Sequence, residues 1–194
     1  MPTTKGKYTT LVDAATRLFA QEGYDGITTL AIAKGAEVTE PLIYYYFEGK
    51  SGIYAQCVRA AHDLYRDILR ELPGSAKPAV RLNALIEAHH RFAKERPFEA
   101  ALIFRRVPPN LESDREDLEK LVSGARDAVQ KSFGACIRDG IADGTFADAS
   151  VSMTAGLIAL MLSQLFATAT EKSATAAGSA LKAFCRRGLE ARAI

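Results

Sequence analysis

Nowhere in this chain do apolar and polar residues alternate with the two-residue period of a half-buried strand. Apolar positions recur instead at intervals of three and four, the spacing that lines one face of a helix. Leu11, Ala14, Ala15, Leu18 and Phe19 are the first such set, and comparable sets follow to the end of the chain. The pattern excludes a sheet-based core and predicts an all-α fold of about nine helices. At 194 residues with 48% hydrophobic content, the chain is long and apolar enough to bury a core.

Proline, glycine and hydroxyl residues punctuate the helices. A first helix is expected from about Thr9 to Glu22, stopped by Gly23 in a left-handed conformation. Thr28 or Thr29 can cap a short second helix, Leu30 to Gly35. After the joint Ala36, Glu37, Val38, the hydroxyl of Thr39 is placed to cap a third helix from Glu40 to about Phe47. Pro41 falls in its first turn, where a missing donor costs nothing.

A long fourth helix follows, about Ser51 to Leu72, and then Pro73, Gly74, Ser75 and Pro78 form the clearest boundary. Later helices are expected at about Ala79 to Arg96, Phe98 to Arg106, Ser113 to Asp143, Ser150 to Thr170 and Ser173 to Arg192. The stretch between Asp148 and Glu171 carries no charge. Its Ser and Thr residues and the lack of a flanking basic cluster read as a buried helix, not a membrane span.

Two short helices with a tight joint, the second polar and aromatic, have the layout of a helix-turn-helix. The residues also carry a family resemblance. The stretch LVDAATRLFAQEGYDGITTLAIAKGAEVTEPLIYYYFEGKSGIYAQCV, Leu11 to Val58, resembles the DNA-binding domain of the tetracycline-repressor (TetR) family. The matching positions include Ala14, Ala15, Leu18, Phe19, Gly23, Thr28, Thr29, Ile32, Ala33, Val38, Thr39, Tyr44, Tyr46, Phe47, Lys50 and Tyr54.

The resemblance implies a DNA-binding domain over residues 1–50 with its helix-turn-helix at 28–47, a connecting helix at 51–72, and a ligand-binding and dimerisation domain at 73–194. It implies that Glu40, Pro41 and Leu42 face bases, while Thr28, Thr29, Thr39, Tyr44, Tyr45, Tyr46 and Lys50 hold sugar and phosphate. The chemistry of those residue types agrees. Hydroxyls, helix-start amides and one ammonium can hold phosphates, and Leu42 and Pro41 can touch a thymine methyl. Glu40 can only accept, for example from a cytosine amino group.

Two features depart from the family pattern. The usual turn glycine aligns with Glu37, which must then bear a left-handed backbone or relax it. Charge is also balanced locally: within 1–60 the bases Lys5, Lys7, Arg17, Lys34, Lys50 and Arg59 cancel the acids Asp13, Glu22, Asp25, Glu37, Glu40 and Glu48. Over the whole chain, 25 basic against 23 acidic residues leave +2. Weak nonspecific DNA affinity is therefore expected, with Lys5 and Lys7 in an N-terminal tail supplying part of the attraction.

Elsewhere the residues favour a regulatory domain over an active site. There is no nucleophile motif, phosphate-cradling glycine loop, metal spacing or convincing acid pair, so an enzyme, a cofactor and a metal are not expected. His89 and His90 are adjacent on a helix and point about 100° apart, a poor geometry for one metal. Apolar candidates for an effector pocket are Leu85, Phe92, Ile103, Phe104 and Phe133, with His89 as the polar member. Arg105 and Arg106, just before Pro108 and Pro109, are expected to cap a helix end. The acids Glu112, Asp114, Glu116, Asp117 and Glu119 are expected in the first turns of a helix.

The last two helices are apolar on more than one side. Leu157, Leu160, Met161 and Leu165 line one face of the penultimate helix with Gln164 beside them, and Ile158, Leu162 and Phe166 line another. Leu181, Phe184 and Leu189 repeat the period in the last. A symmetric four-helix interface between two copies accounts for both faces, as the resemblance also implies. The partners expected are thus double-stranded operator DNA, a small-molecule effector and a second copy of the chain, with no membrane. The function expected is a ligand-released repressor. The rival is a non-enzymatic helical small-molecule-binding or adaptor protein. Cys57, Cys136 and Cys185, odd in number and far apart, and a short polar, basic start fit the cytoplasm.

Overall fold

The computed structural model describes residues 4–72, 74, 76–168 and 171–189, with the side chains of 4–5, 165–168, 171–178 and 186 excepted. Within them are nine α-helices and no strand. These are α1 (Thr4–Glu22), α2 (Thr29–Gly35), α3 (Pro41–Tyr46), α4 (Gly49–Arg70), α5 (Pro78–Glu95), α6 (Pro97–Phe104), α7 (Arg115–Ala142), α8 (Val151–Thr168) and α9 (Glu171–Leu189). None is long and apolar enough, among the described residues, to cross a membrane.

Helix α1 starts earlier than its apolar stripe. The stripe begins at Leu11, but the helix reaches back to Thr4, so Lys7 stands on helix and not on a tail. Thr10 helps by returning its hydroxyl to the Gly6 carbonyl at 2.8 Å. Gly23 ends α1 with φ +79 and donates to Phe19 O at 3.0 Å, the left-handed stop its position suggests.

The chain forms two compact units, 1–64 with 98–123 and 65–97 with 124–194. The core of the first contains Leu11, Ala15 and Phe19 of α1, Ile32 of α2, Ile43 of α3 and Ile53 and Val58 of α4. It also contains Leu102, Leu111, Leu118 and Val122, from much later in the chain. Four polar ties fasten that later segment. Arg105 donates to Phe19 O and Ala20 O at 2.8 and 2.9 Å. Asn110 donates to Asp25 Oδ1 at 2.6 Å, Ser113 N donates to Ser51 Oγ at 3.1 Å, and Arg59 pairs with Asp114 at 3.0 Å. Arg105 thus caps a helix end, that of α1.

Helix α7 begins only at Arg115, so Glu112 and Asp114 precede it. Asp114 sits at φ +61 and its carbonyl accepts from Leu118 N, which places it as the cap residue, outside the helix proper. Glu116 and Asp117 alone of the five acids occupy the first turn, the place where a carboxylate meets unpaired amides.

In the second unit, α5, the later part of α7, α8 and α9 enclose Leu82, Ile86, Phe92, Phe133, Ile137, Ile158 and Leu162, all buried. The turn after α7 folds Phe146 over Gly140, whose added Cβ would stand 2.1 Å from the ring. Only glycine allows that contact.

Candidate nucleic-acid interface

Helix α2 begins where Thr28 is extended (φ −111, ψ 156) and its Oγ accepts from Ala31 N at 3.1 Å. This is an N-cap made by the residue itself. It ends in a paired closure: Val38 N donates to Ala33 O at 3.0 Å and Glu37 N to Lys34 O at 3.1 Å. Those two bonds define a Schellman motif, and its C′ residue is Glu37 at φ +55. The joint keeps the left-handed backbone that glycine would occupy more easily, stabilised by two carbonyls that would otherwise lack partners.

Helix α3 opens with Pro41 at its first position. The expected side-chain cap from Thr39 is absent. Its backbone carbonyl accepts from Leu42 N at 3.1 Å instead, and Glu40, already helical at φ −57 and ψ −38, occupies the cap position without a side-chain cap bond. A residue in helical conformation cannot aim its side chain back at its own amides as an extended cap does. The Glu40 carboxylate turns instead to α2, accepting from the Thr29 hydroxyl at 2.5 Å.

The six residues of α3 divide cleanly by face. Ile43 is fully buried and Phe47, just past the helix, is nearly so. Tyr44 and Tyr45 are 61% and 75% exposed. Tyr46 is half-buried, its ring edge-on to Tyr8 at 5.7 Å, so the tyrosine triplet splits into two outward residues and one packed one. Thr39 and Pro41 are exposed; Leu42 is half-buried against the core.

Phe47 is extended, and Gly49 at φ +72 turns the chain into α4. Lys50, in the first turn of α4, sits with its ammonium 4.3 Å from the centroid of Tyr24. Burial pushes the Tyr54 phenol behind it up to about 12, which keeps that hydroxyl neutral. Thr28, Thr29, Tyr44 and Lys50 line one cleft of about 530 Å³, together with Glu48, Asn110 and Glu112. The last two were not foreseen as part of this surface. No local pattern links them to a helix-turn-helix; only the packing of 98–123 does.

The other proposed sites map as follows. Leu85, His89, Phe92 and Phe133 lie buried in the second unit, whereas Ile103 and Phe104 lie buried in the first. His89 is held at both nitrogens, Nδ1 by Leu85 O at 2.6 Å and Nε2 by the Tyr65 hydroxyl at 2.7 Å. A carbonyl can only accept, so Nδ1 carries the proton and Nε2 accepts from Tyr65. Complete burial lowers the His89 pKa to about 4, with the Leu85 bond opposing the shift. A separate groove of about 500 Å³ in this unit is lined by Gln130, Lys131, Gly134 and Arg138 of α7 and Val151 and Ser152 of α8.

On α8, Leu157 and Leu160 are 52% and 64% exposed, with Met153 beside them at 68%. Gln164 is exposed too, and Met161 half-buried. Phe184 of α9 is exposed at 58%, while Leu181 and Leu189 are buried within the chain's own core. Leu165 falls outside the described side chains.

Comparison with known proteins follows the same division. The description "Bacterial regulatory proteins, tetR family" matches residues 11–57, and "Tetracyclin repressor-like, C-terminal domain" matches residues 75–167. The chain is 31% identical over 132 residues to the HTH-type transcriptional regulator HbdR of Aromatoleum sp. (strain CIB), across 67% of this chain and 57% of that protein. It is 37% identical over 59 residues to the biofilm operon icaADBC HTH-type negative transcriptional regulator IcaR of Staphylococcus aureus (strain Newman), across 30% of this chain and 32% of that one. The matches thus span about a third to just over half of these curated relatives. In fold the chain is similar to AibR, solved with isovaleryl coenzyme A and operator DNA, with TM-score 0.76, 13% identity and coverage of 92% and 97%.

Proposed function

This chain belongs to the TetR family of bacterial regulatory proteins, and we propose on that premise that it is a repressor that grips a near-palindromic operator as a homodimer and lets go when a small molecule binds. The observation that carries the reading is α3 itself. Ile43 and Phe47 anchor a short rod whose Tyr44, Tyr45 and Pro41 are turned outward, next to Lys50. A rod of that size fits the major groove, and the flanking hydroxyls suit phosphates.

In this reading residues 1–50 hold DNA, 51–72 connect, and 73–194 take the effector and the second copy. Glu40, Pro41 and Leu42 read bases. Because Glu40 is already held by Thr29, its remaining acceptor capacity is aimed, which favours one donor pattern on the base edges. Thr28, Thr29, Thr39, Tyr44, Tyr45, Tyr46 and Lys50 position the backbone, with Tyr46 contributing mainly by buttressing the helix. Paired recognition helices must meet the duplex one turn apart or a multiple of it, roughly 34 Å per turn.

Met153, Leu157, Leu160 and Phe184 supply the dimer contact, flanked by Met161 and Gln164 and backed by the buried Leu181 and Leu189, with Leu165 assigned to it by sequence period alone. Exposed apolar side chains at this spacing on a helix mark an association face. The effector enters among Leu85, His89, Phe92 and Phe133; AibR, of similar fold, was solved with isovaleryl coenzyme A, which makes an acyl thioester one ligand class to try. Operator and effector are then linked, each weakening the other's binding by one factor. The molecule is a cytoplasmic regulator and not an enzyme.

Selection of bound fragments from genomic DNA, followed by titration with the wild type and Tyr44→Ala, tests the proposal. Saturable binding to a near-palindromic site, weakened at least about tenfold by Tyr44→Ala without loss of thermal stability, supports it. A chain that binds no fragment saturably is not this regulator.

A further inference from the structure

The cleft that holds Thr28, Tyr44 and Lys50 is also lined by Asn110 and Glu112. Glu112 sits between two anchored neighbours. Leu111 is buried in the core shared with α1 to α4, and Ser113 is bonded to Ser51 in the first turns of α4. Asn110, one residue earlier, is bonded to Asp25. The backbone that carries Glu112 is therefore fixed relative to Lys50 and Tyr44, while its side chain is exposed. Among the described residues lining the cleft, Lys50 is the one cation, and Glu48 and Glu112 are both acids. The Tyr24 phenol, which lines the same cleft, senses Glu112: burial raises its pKa most, a hydrogen bond with Ser51 lowers it, and the Glu112 and Asp25 carboxylates raise it further.

We propose that Glu112 belongs to the DNA-facing surface and works against binding: an exposed carboxylate carried by an anchored segment of the wall of the phosphate-facing cleft, which lowers affinity for every duplex alike. The inference rests on the DNA-binding reading above. A phosphate carries no sequence information, so a carboxylate facing it penalises operator and random duplex by the same factor. The ratio between them is untouched. Affinity for bulk DNA and for the operator falls together, and discrimination between them is left to the base contacts of α3. Asn110, by holding Asp25, keeps this wall in place and has no separate role in reading.

The test compares the wild-type full-length chain with Glu112→Gln, Glu112→Lys and Asp117→Asn, each titrated against a selected operator and a scrambled duplex at about 0.1 M salt. Asp117 is an exposed acid on the first turn of α7 that does not line the cleft. Glu112→Gln should tighten both duplexes about threefold and Glu112→Lys about tenfold, with the gain shrinking as salt is raised. Asp117→Asn should give less than half the gain of Glu112→Gln, measured as log affinity.

Unchanged or weaker binding in both Glu112 variants, at unchanged melting temperature, overturns the proposal and leaves the DNA reading standing. So does an equal gain in Asp117→Asn, because net charge alone would then account for it. A gain confined to the operator also overturns it, since Glu112 would then be reading sequence. Failure of the wild type to bind any duplex overturns the DNA reading and this inference together.

Discussion

Arg105 closes the last turn of a helix that ended more than eighty residues earlier: its guanidinium donates to Phe19 O at 2.8 Å and, through its other terminal nitrogen, to Ala20 O at 2.9 Å. Helix α1 has no basic residue in its own final turn, so this cation supplies what the helix end lacks. Two forked bonds to the carbonyls of the last turn, one of which (Phe19 O) also accepts from Gly23 N, are partly screened from water and are worth more than a surface ion pair. Arg105→Ala should cost about 2 kcal/mol in urea unfolding, and Arg105→Lys should recover less than half, because one ammonium cannot span both carbonyls as the fork does.

Glu37 holds φ +55 inside the Schellman closure of α2. For a residue with a Cβ that conformation is disfavoured by about 1 kcal/mol. Glu37→Gly should therefore stabilise the chain by up to about 1 kcal/mol, less the entropy glycine adds to the unfolded state, and Glu37→Val should destabilise it. The midpoint of thermal unfolding reads both.

His89 makes stability depend on acidity. Its folded pKa is about 4, set by burial, against 6.5 for an exposed imidazole. Between those values the unfolded chain binds the extra proton and the folded chain does not, so stability rises with pH. The contribution is complete above about pH 6.5 and is lost progressively as pH falls toward 4, amounting to roughly 3 kcal/mol. Urea midpoints taken across that window should follow this slope, and His89→Gln should flatten it. A wild-type midpoint independent of pH there would contradict the buried neutral assignment.

Exposed Leu157 and Leu160 stand one turn apart on α8 with Met153 and Phe184 exposed as well. On the proposed dimer reading, Leu157→Lys with Leu160→Lys should sediment as a monomer where the unsubstituted chain sediments as a dimer. Ile158→Ala, on the opposite buried face, should instead cost about 3 kcal/mol of stability.

Much of the candidate interface is legible locally. Thr28 caps α2 through its own hydroxyl, Pro41 opens α3, and Gly23 and Glu37 occupy left-handed positions; each depends on residues within one turn of chain. The side of α3 that faces inward was also readable, since Ile43 and Phe47 are spaced to share a face and Tyr44 and Tyr45 are not. Thr39 misled because a hydroxyl before a proline resembles a cap. The packing of Tyr46 was not legible because its partner, Tyr8, lies on a different helix.

By itself, then, the order of residues determined the helices, most of their ends and the outward rod of α3, because hydrophobic period, capping and backbone preference act over one to two turns. Tertiary structure alone decided that 98–123 packs with 1–64, that Arg105 serves α1 and that Glu112 faces Lys50's cleft. Those pairings join groups far apart in sequence. They are selected by complementary burial and by unpaired carbonyls and hydroxyls that become neighbours only after the chain has folded.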